Sequence, residues 1–272
     1  MMLVATTMAL CSAALAAEPF VTFQPEAGTV RLCTHAISCS ENDFEAVKIA
    51  VESLKGDMKR TLTDRYTAGD GLTLLVGTLG KNADIDRLEK QGLLPDLKGK
   101  REKFVITTVG QQLVIAGSDR RGTVYGIYEL SEQLGVSPWY WWMDVPVMSH
   151  AGAYIKSGVY TDGEPAVEFR GLFLNDEAPC LTSWVKNTWG TDYGDHHFYE
   201  KVFELILRLR GNMLWPPCGD GLSMPTTQRT ARPPTVWVSS WAPATTSRWH
   251  ATIRSMPAGA RSGAPGTTRP TR

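Results

Sequence analysis

Three polar residues in a row, Asn175, Asp176 and Glu177, close a short apolar run, VEFRGLFL, that starts at Val167. Carboxylates move protons and amides hold hydroxyls or water, so such a cluster suits acid–base or hydrogen-bonding work on a polar substrate. Neighbouring residues at a strand end point to opposite sides. Asp176 and Glu177 therefore do not make an acid/base pair by themselves; one faces a pocket and the other the wall behind it. We read Asn175 and Asp176 as groups that hydrogen-bond a substrate or hold a catalytic water, with Glu177 supporting them. A turn that solvates its own carboxylates fits the same residues without chemistry. Trp215 ends a second short apolar run, where its ring suits stacking on a sugar, and Trp184 and Trp189 lie in the loop between the two runs. Core or loop packing explains each tryptophan at least as well.

Other chemistries find little support. His196 and His197 are adjacent, so on a helix they diverge, and no third ligand is evident. No CxxC or Cys/His spacing is present, and no metal is expected. The segment GSDRRG, Gly117 to Gly122, fits neither GxGxxG nor GxxxxGK[ST]. It reads as a strand-to-helix turn with Asp119 near the helix start, and no cofactor is expected.

The elements that must position Asn175 to Glu177 read as strand, loop, helix, strand. Val167–Asn175 is the first strand, the amphipathic stretch from His196 is the helix, and Asn212–Pro216 is the second strand. Polar residues at the C-terminal end of a buried strand, ahead of a right-handed crossover helix, occupy the place where barrel enzymes keep their chemistry.

Upstream, Glu18 to Leu32 reads as extended, with Phe23, Val30 and Leu32 inward. Phe44, Val47, Ile49, Ala50, Leu54, Met58 and Leu62 predict a helix over Glu41 to Leu62, capped by Ser40. Leu72 to Thr78 is a buried strand, Asp84 to Leu94 a helix, and Phe104 to Val109 with Leu113 to Ala116 a strand pair turning at Gly110. Arg121 to Leu134 is a helix stopped by Gly135. Alternating strands and helices predict an α/β layered domain. It ends in the aromatic cluster Trp139 to Trp142, which suits either a sugar platform or, as we favour, packing of one domain on the next.

The 272 residues suffice for one large or two ordinary domains, and 28 basic against 28 acidic side chains disfavour a nucleic-acid or polybasic membrane partner. The opening run to Ala17 reads as a signal peptide, cleaved after Ala16 or Ala17, although it has no basic start; a buried first helix is the alternative. A periplasmic or secreted location follows. Of the five cysteines, Cys33 and Cys39 are close enough in sequence for an exported protein to bridge.

Three blocks, AGSDRRGTVYGIYELSEQLGVSPWYWWMDVPV, FRGLFLNDEAP and FYEKVFELILRLRGNMLWP, together resemble glycoside hydrolase family 115, the xylan α-1,2-glucuronidases. The resemblance covers roughly Glu18 to Pro216. It implies a hexosaminidase-type α/β domain over 18–163, then the start of a (β/α)8 TIM barrel over 164–216. It also implies metal-free, inverting removal of glucuronic or 4-O-methylglucuronic acid from xylan or glucuronoxylan, and it allows a homodimer for the intact member. Inversion needs an acid and a base roughly 6.5–9.5 Å apart. By resemblance both lie on later barrel strands, so no catalytic residue is expected in frame, and the expected substrate-binding residues are Asn175, Asp176, Glu177 and Trp215. A non-catalytic carbohydrate-binding or structural fragment, and another glycosidase with a hexosaminidase-like N-terminal domain, are the competing readings.

From Cys218 onward the chain has no Lys, Glu, Phe or Tyr and is rich in Pro, Ala, Thr, Ser, Gly and Arg, the composition of a disordered tail. Back-translation offers a sharper account. Read from the third base of each codon, the codons around Pro216 to Gln228 permit LWPAMWGRAF, and those of Val236 to Trp249 permit MGVVMGTSHHEPM. Both glycines of the second string are forced by the Trp237-Val238 and Trp241-Ala242 junctions. Both strings contain motifs of the family, so 217–272 is read as out-of-frame translation after loss of one base near Pro216.

Overall fold

A computed structural model describes residues 19–63, 71–174, 179–190, 196–215 and 236–237, without the side chains of 34, 35, 196, 215, 236 and 237. The leader expected over 1–17 lies outside them.

Seven strands form one sheet: β1 (Val21–Thr22), β2 (Thr29–Cys39), β3 (Leu72–Thr78), β4 (Phe104–Val109), β5 (Gln112–Gly117), β6 (Tyr154–Lys156) and β7 (Val159–Tyr160). Their order is β1-β6-β2-β3-β5-β4-β7, with β2, β3 and β5 parallel and the rest antiparallel to their neighbours. The period of two sorts the side chains. Leu72, Leu74, Val76, Phe104, Ile106, Leu113 and Ile115 face α1 (Glu45–Thr61) and α3 (Arg120–Gln133), while Leu75, Val105, Val114 and Ala116 face α2 (Ala83–Lys90). Burying each large side chain contributes about 1.5–3 kcal/mol, which makes this two-faced sheet the main stabilising element. The mixed α/β class expected from the alternation is what the chain forms.

The turn before α3 is built as its residues suggest. Asp119 caps the helix, its Oδ1 accepting from Gly122 N at 2.8 Å. Gly122 is required there, since a Cβ would meet Lys103 O at 2.2 Å.

Several expectations are corrected. Helix α1 begins at Glu45 without a side-chain cap; Ser40 Oγ instead accepts from Asn42 N, and Asp43 accepts from Phe44 N and from Thr78. Val30 is 40% exposed, whereas Leu32 is buried and Phe23 half-buried against His150. Cys33 and Cys39 are free and share strand β2, so their Cα atoms are separated by roughly 20 Å along the strand. A disulfide spans no more than about 7 Å. Burial, then Asp43, pushes the Cys39 thiol up to about 11.

Beyond β7 a second sheet begins. Strand β8 (Gly171–Phe173) is shorter than the predicted Val167–Asn175, and Val167 is 60% exposed. The stretch expected to be a loop holds a helix, α4 (Cys180–Trp189), ahead of α5 (His196–Arg208). Strand β9 (Met213–Trp215) lies parallel to β8, pairing Gly171 with Met213, Leu172 with Leu214 and Phe173 with Trp215. The approach is close: a Cβ at Gly171 would meet Met213 O. Helix α5 buries Phe198, Val202, Phe203, Ile206 and Leu207 in the same core as α1 and α3. Strand β10 (Val236–Trp237) runs antiparallel to β9 and is the only described part of the segment read as a disordered tail. No helix among the described residues is long and apolar enough to cross a membrane.

Candidate functional site

Strands β8 and β9 are parallel and end side by side at Phe173 and Trp215. The chain leaves β8 through Leu174 directly into Asn175, Asp176 and Glu177, which lie outside the described residues, as does the Trp215 side chain. The two groups proposed from the sequence thus follow or occupy neighbouring C-terminal strand ends. The structure shows in detail how those two strands are held from their other ends.

Glu102 is the centre of that hold. It is 2% exposed and its backbone sits at φ 54. A left-handed non-glycine residue costs about 1–2 kcal/mol, so its surroundings must impose it. Its N–H donates to Asp119 Oδ2 at 2.9 Å, and its carboxylate takes Arg121 Nε at 2.5 Å, Arg170 Nη2 at 2.6 Å and Asn212 Nδ2 at 3.0 Å. Burial alone would raise the carboxyl, but hydrogen bonds from Asn212 and Arg170 and the charges of Arg121 and Arg170 outweigh it and hold it below the usual carboxylate range. Arg170 also donates to the carbonyl oxygens of Val167 and Arg210, each at 2.8 Å. Arg210 pairs with Asp162 at 2.7 Å and with Glu129.

A second cluster surrounds Arg208, which is 2% exposed at the end of α5. It donates to Asp57 Oδ2 at 2.8 Å, Glu204 Oε1 at 3.0 Å and Ser53 Oγ at 3.1 Å, between the rings of Tyr128 and Tyr140. Burial opposes the Arg208 cation, yet Tyr128, Asp57 and Glu204 more than compensate and raise its pKa. Glu204 is correspondingly lowered: burial acts upward, and Arg208 and Lys201 override it.

The aromatic cluster joins the same two parts. Trp141 stacks on Trp189 with centroids 5.6 Å apart, Trp142 stacks on Trp184 at 5.7 Å, and Trp142 Nε1 donates to Lys201 O. These rings pack against one another, as in the packing alternative, although Trp184 stays 39% exposed, and Trp184 and Trp189 belong to helix α4 rather than a loop. His197 stands exposed at the start of α5, as a solvated helix start requires.

Chemically, the charged groups of these two clusters are paired with one another, with Glu102, Asp57 and Arg208 buried at their centres, so they position the chain. A cavity of about 150 Å³ touches Glu102, Tyr125, Asp162, Arg170 and Arg210. It falls below the roughly 300–1,000 Å³ of ligand pockets, and its charged walls already bond to one another. No group of three metal-ligating side chains occurs among the described residues. Sequence reasoning missed Glu102, Arg170, Arg208, Arg210 and Asn212. The available signal was a cation, Arg208, inside the apolar stretch LILRLRG.

The depressed carboxyls predict an acid transition. A lowered folded-state pKa gives stability that is complete above the ordinary value of 4.5 and lost as pH falls through the folded value. Fluorescence of the Trp141, Trp142, Trp184 and Trp189 cluster should stay flat from neutral pH down to about 4.5 and change cooperatively below it. A transition centred near neutral pH would contradict this assignment.

The profile of glycosyl hydrolase family 115 matches residues 162–246. A solved structure described as a "novel family GH115 4-O-Methyl-alpha-glucuronidase, BtGH115A, with specificity for decorated arabinogalactans" is 33% identical over 73% of this chain, with a TM-score of 0.59. The chain belongs to glycosyl hydrolase family 115. It spans 26% of that glucuronidase's length. A Flavobacterium johnsoniae chitobiase (14% identity, TM-score 0.39, 73% of this chain and 26% of the other) and CpGH84D (13%, 0.41, 77% and 38%) are also similar. No curated protein matches. The family match crosses Pro216 and reaches into the segment read as out of frame.

Proposed function

We propose that the complete protein is a glycoside hydrolase that removes α-1,2-linked (4-O-methyl)glucuronic acid from xylan. The observation that carries this reading is membership of family 115, together with the neighbouring structure's description as a 4-O-methyl-α-glucuronidase. Since that neighbour is described as specific for decorated arabinogalactans, glucuronoxylan and arabinogalactan side groups are the two substrates to compare. The parallel unit β8–α4–α5–β9 supports reading 164–216 as the opening of a (β/α)8 barrel, with 18–163 as a hexosaminidase-type domain before it. In that reading Asn175, Asp176 and Trp215 line the sugar site and Glu177 supports them.

The chain as written is proposed to be inactive, with 217–272 translated out of frame. A barrel closes only when all its strands pair, and the described residues supply two parallel candidates, β8 and β9. The frame shift rests on codon arithmetic, and the DNA decides it: a single-base insertion near the codons of Pro216 must restore an open frame containing both motifs. The frame-restored enzyme should release glucuronic acid from methylglucuronoxylan, and the 272-residue chain should release none. Release by the short chain would end the inactivity reading. Action on aryl hexosaminides in place of glucuronoxylan would favour the other glycosidase.

A further inference from the structure

The network around Glu102 meets the chain at the two points where β8 and β9 begin. We infer that Glu102 is a positioning residue: through Arg170 and Asn212 it fixes the register of β8 against β9, and so sets where the chain enters Asn175 and Asp176. The catalytic half of this inference rests on the site proposed above.

The contacts run in both directions across the strand pair. The Arg170 guanidinium that binds Glu102 also holds Val167 O, ahead of β8, and Arg210 O, ahead of β9. Asn212 answers from the other strand. Its Oδ1 accepts from Arg170 N at 2.9 Å, its Nδ2 donates to Glu102 Oε1 at 3.0 Å and to Glu168 O at 2.6 Å, and its own N donates to Arg170 O at 2.7 Å. Met213 N also donates to Arg170 O, at 3.1 Å. A slip of β8 by one residue would break these bonds together. It would also turn every side chain of the strand to the other face.

The anchor itself is fixed to the large sheet's unit. Asp119, which caps α3, holds Glu102 N, and the side chain of Arg121 on α3 meets the same carboxylate. Tyr125, one turn further along α3, donates its hydroxyl to Gly211 O at 2.9 Å, next to Asn212. Helix α3 is among the most deeply buried elements, so the register is referred to a rigid part of the fold. Glu102 acts only through the strands, because its contacts lie at their N-terminal ends and the sugar site is proposed at their C-terminal ends.

The test uses Glu102→Gln and the milder Arg170→Lys, a partly exposed position where lysine keeps the charge but loses the flat, several-donor grip. In the 272-residue chain, amide exchange at Leu172, Phe173 and Leu214 should quicken at least about tenfold in either variant, while Leu74 to Val76 and Val114 to Ala116 keep their rates. In the frame-restored enzyme, Arg170→Lys should lower kcat about tenfold with KM for methylglucuronoxylan within about twofold of the parent. Unchanged exchange at β8 and β9, or equal quickening in both sheets, would overturn the register role. A raised KM with unchanged kcat would overturn the catalytic half. If the frame-restored parent releases no glucuronic acid, the proposed function falls, and the exchange result still decides the register.

Discussion

Arg208→Ala should destabilise the chain by about 3–5 kcal/mol, the cost of breaking a buried ion pair by removing one partner. Arg208 meets two carboxylates, one of them, Asp57, with no exposed side-chain surface. Alanine leaves Asp57 with only the half-exposed Arg60 at 2.9 Å and leaves Glu204 with Lys201 and the Tyr140 hydroxyl. It also strips the guanidinium from between Tyr128 and Tyr140 and opens a void beside α1, α3 and α5. A double-mutant cycle isolates the charge. Asp57→Ala combined with Arg208→Ala should cost well under the sum of the two single changes, because the second removes a group already left without its partner. Urea unfolding followed by tryptophan fluorescence reads both. A loss below about 1 kcal/mol for Arg208→Ala, the size of an exposed pair, would mean that Arg208 is not desolvated as described.

The same arginine shows what the sequence conveys and what it withholds. Strands β3, β4 and β5 and helix α3 were legible because their signals are local: apolar alternation, a turn at Gly110, and Gly135 at a helix stop. Helix α4 starts without a side-chain cap to announce it, although Leu181, Trp184, Val185 and Trp189 keep helical spacing. Its rings find their partners in Trp141 and Trp142, on a distant part of the chain. The latches were hidden for the same reason. Glu102 lies 68 residues from Arg170 and Asp57 lies 151 from Arg208, separations over which no periodicity speaks. The two parallel strand ends were legible, since Phe173 and Trp215 do pair.

These placements suggest a division of labour within the family 115 chain. The charged network is concentrated where β8 and β9 begin, and Asn175 to Glu177, which lie outside the described residues, follow β8 in the sequence. Neutralised, buried charges suit a fixed scaffold.

In the frame-restored enzyme, Asp176→Asn should therefore lower kcat by about 100-fold, the lower range for loss of a group that moves or orients a proton, without shifting the unfolding temperature of the large-sheet unit. The substitution keeps the size of the side chain and one hydrogen-bonding oxygen but removes the charge that would orient a catalytic water or bind a sugar hydroxyl strongly. Its neighbour provides the control. If strand alternation carries Glu177 to the wall side, Glu177→Gln should disturb stability more than turnover, the reverse of Asp176→Asn. Steady-state kinetics on methylglucuronoxylan and a thermal melt of each variant separate the two roles. Full activity in Asp176→Asn would remove Asp176 from the site, and a kcat loss confined to Glu177→Gln would mean that the strand presents the opposite face to the sugar.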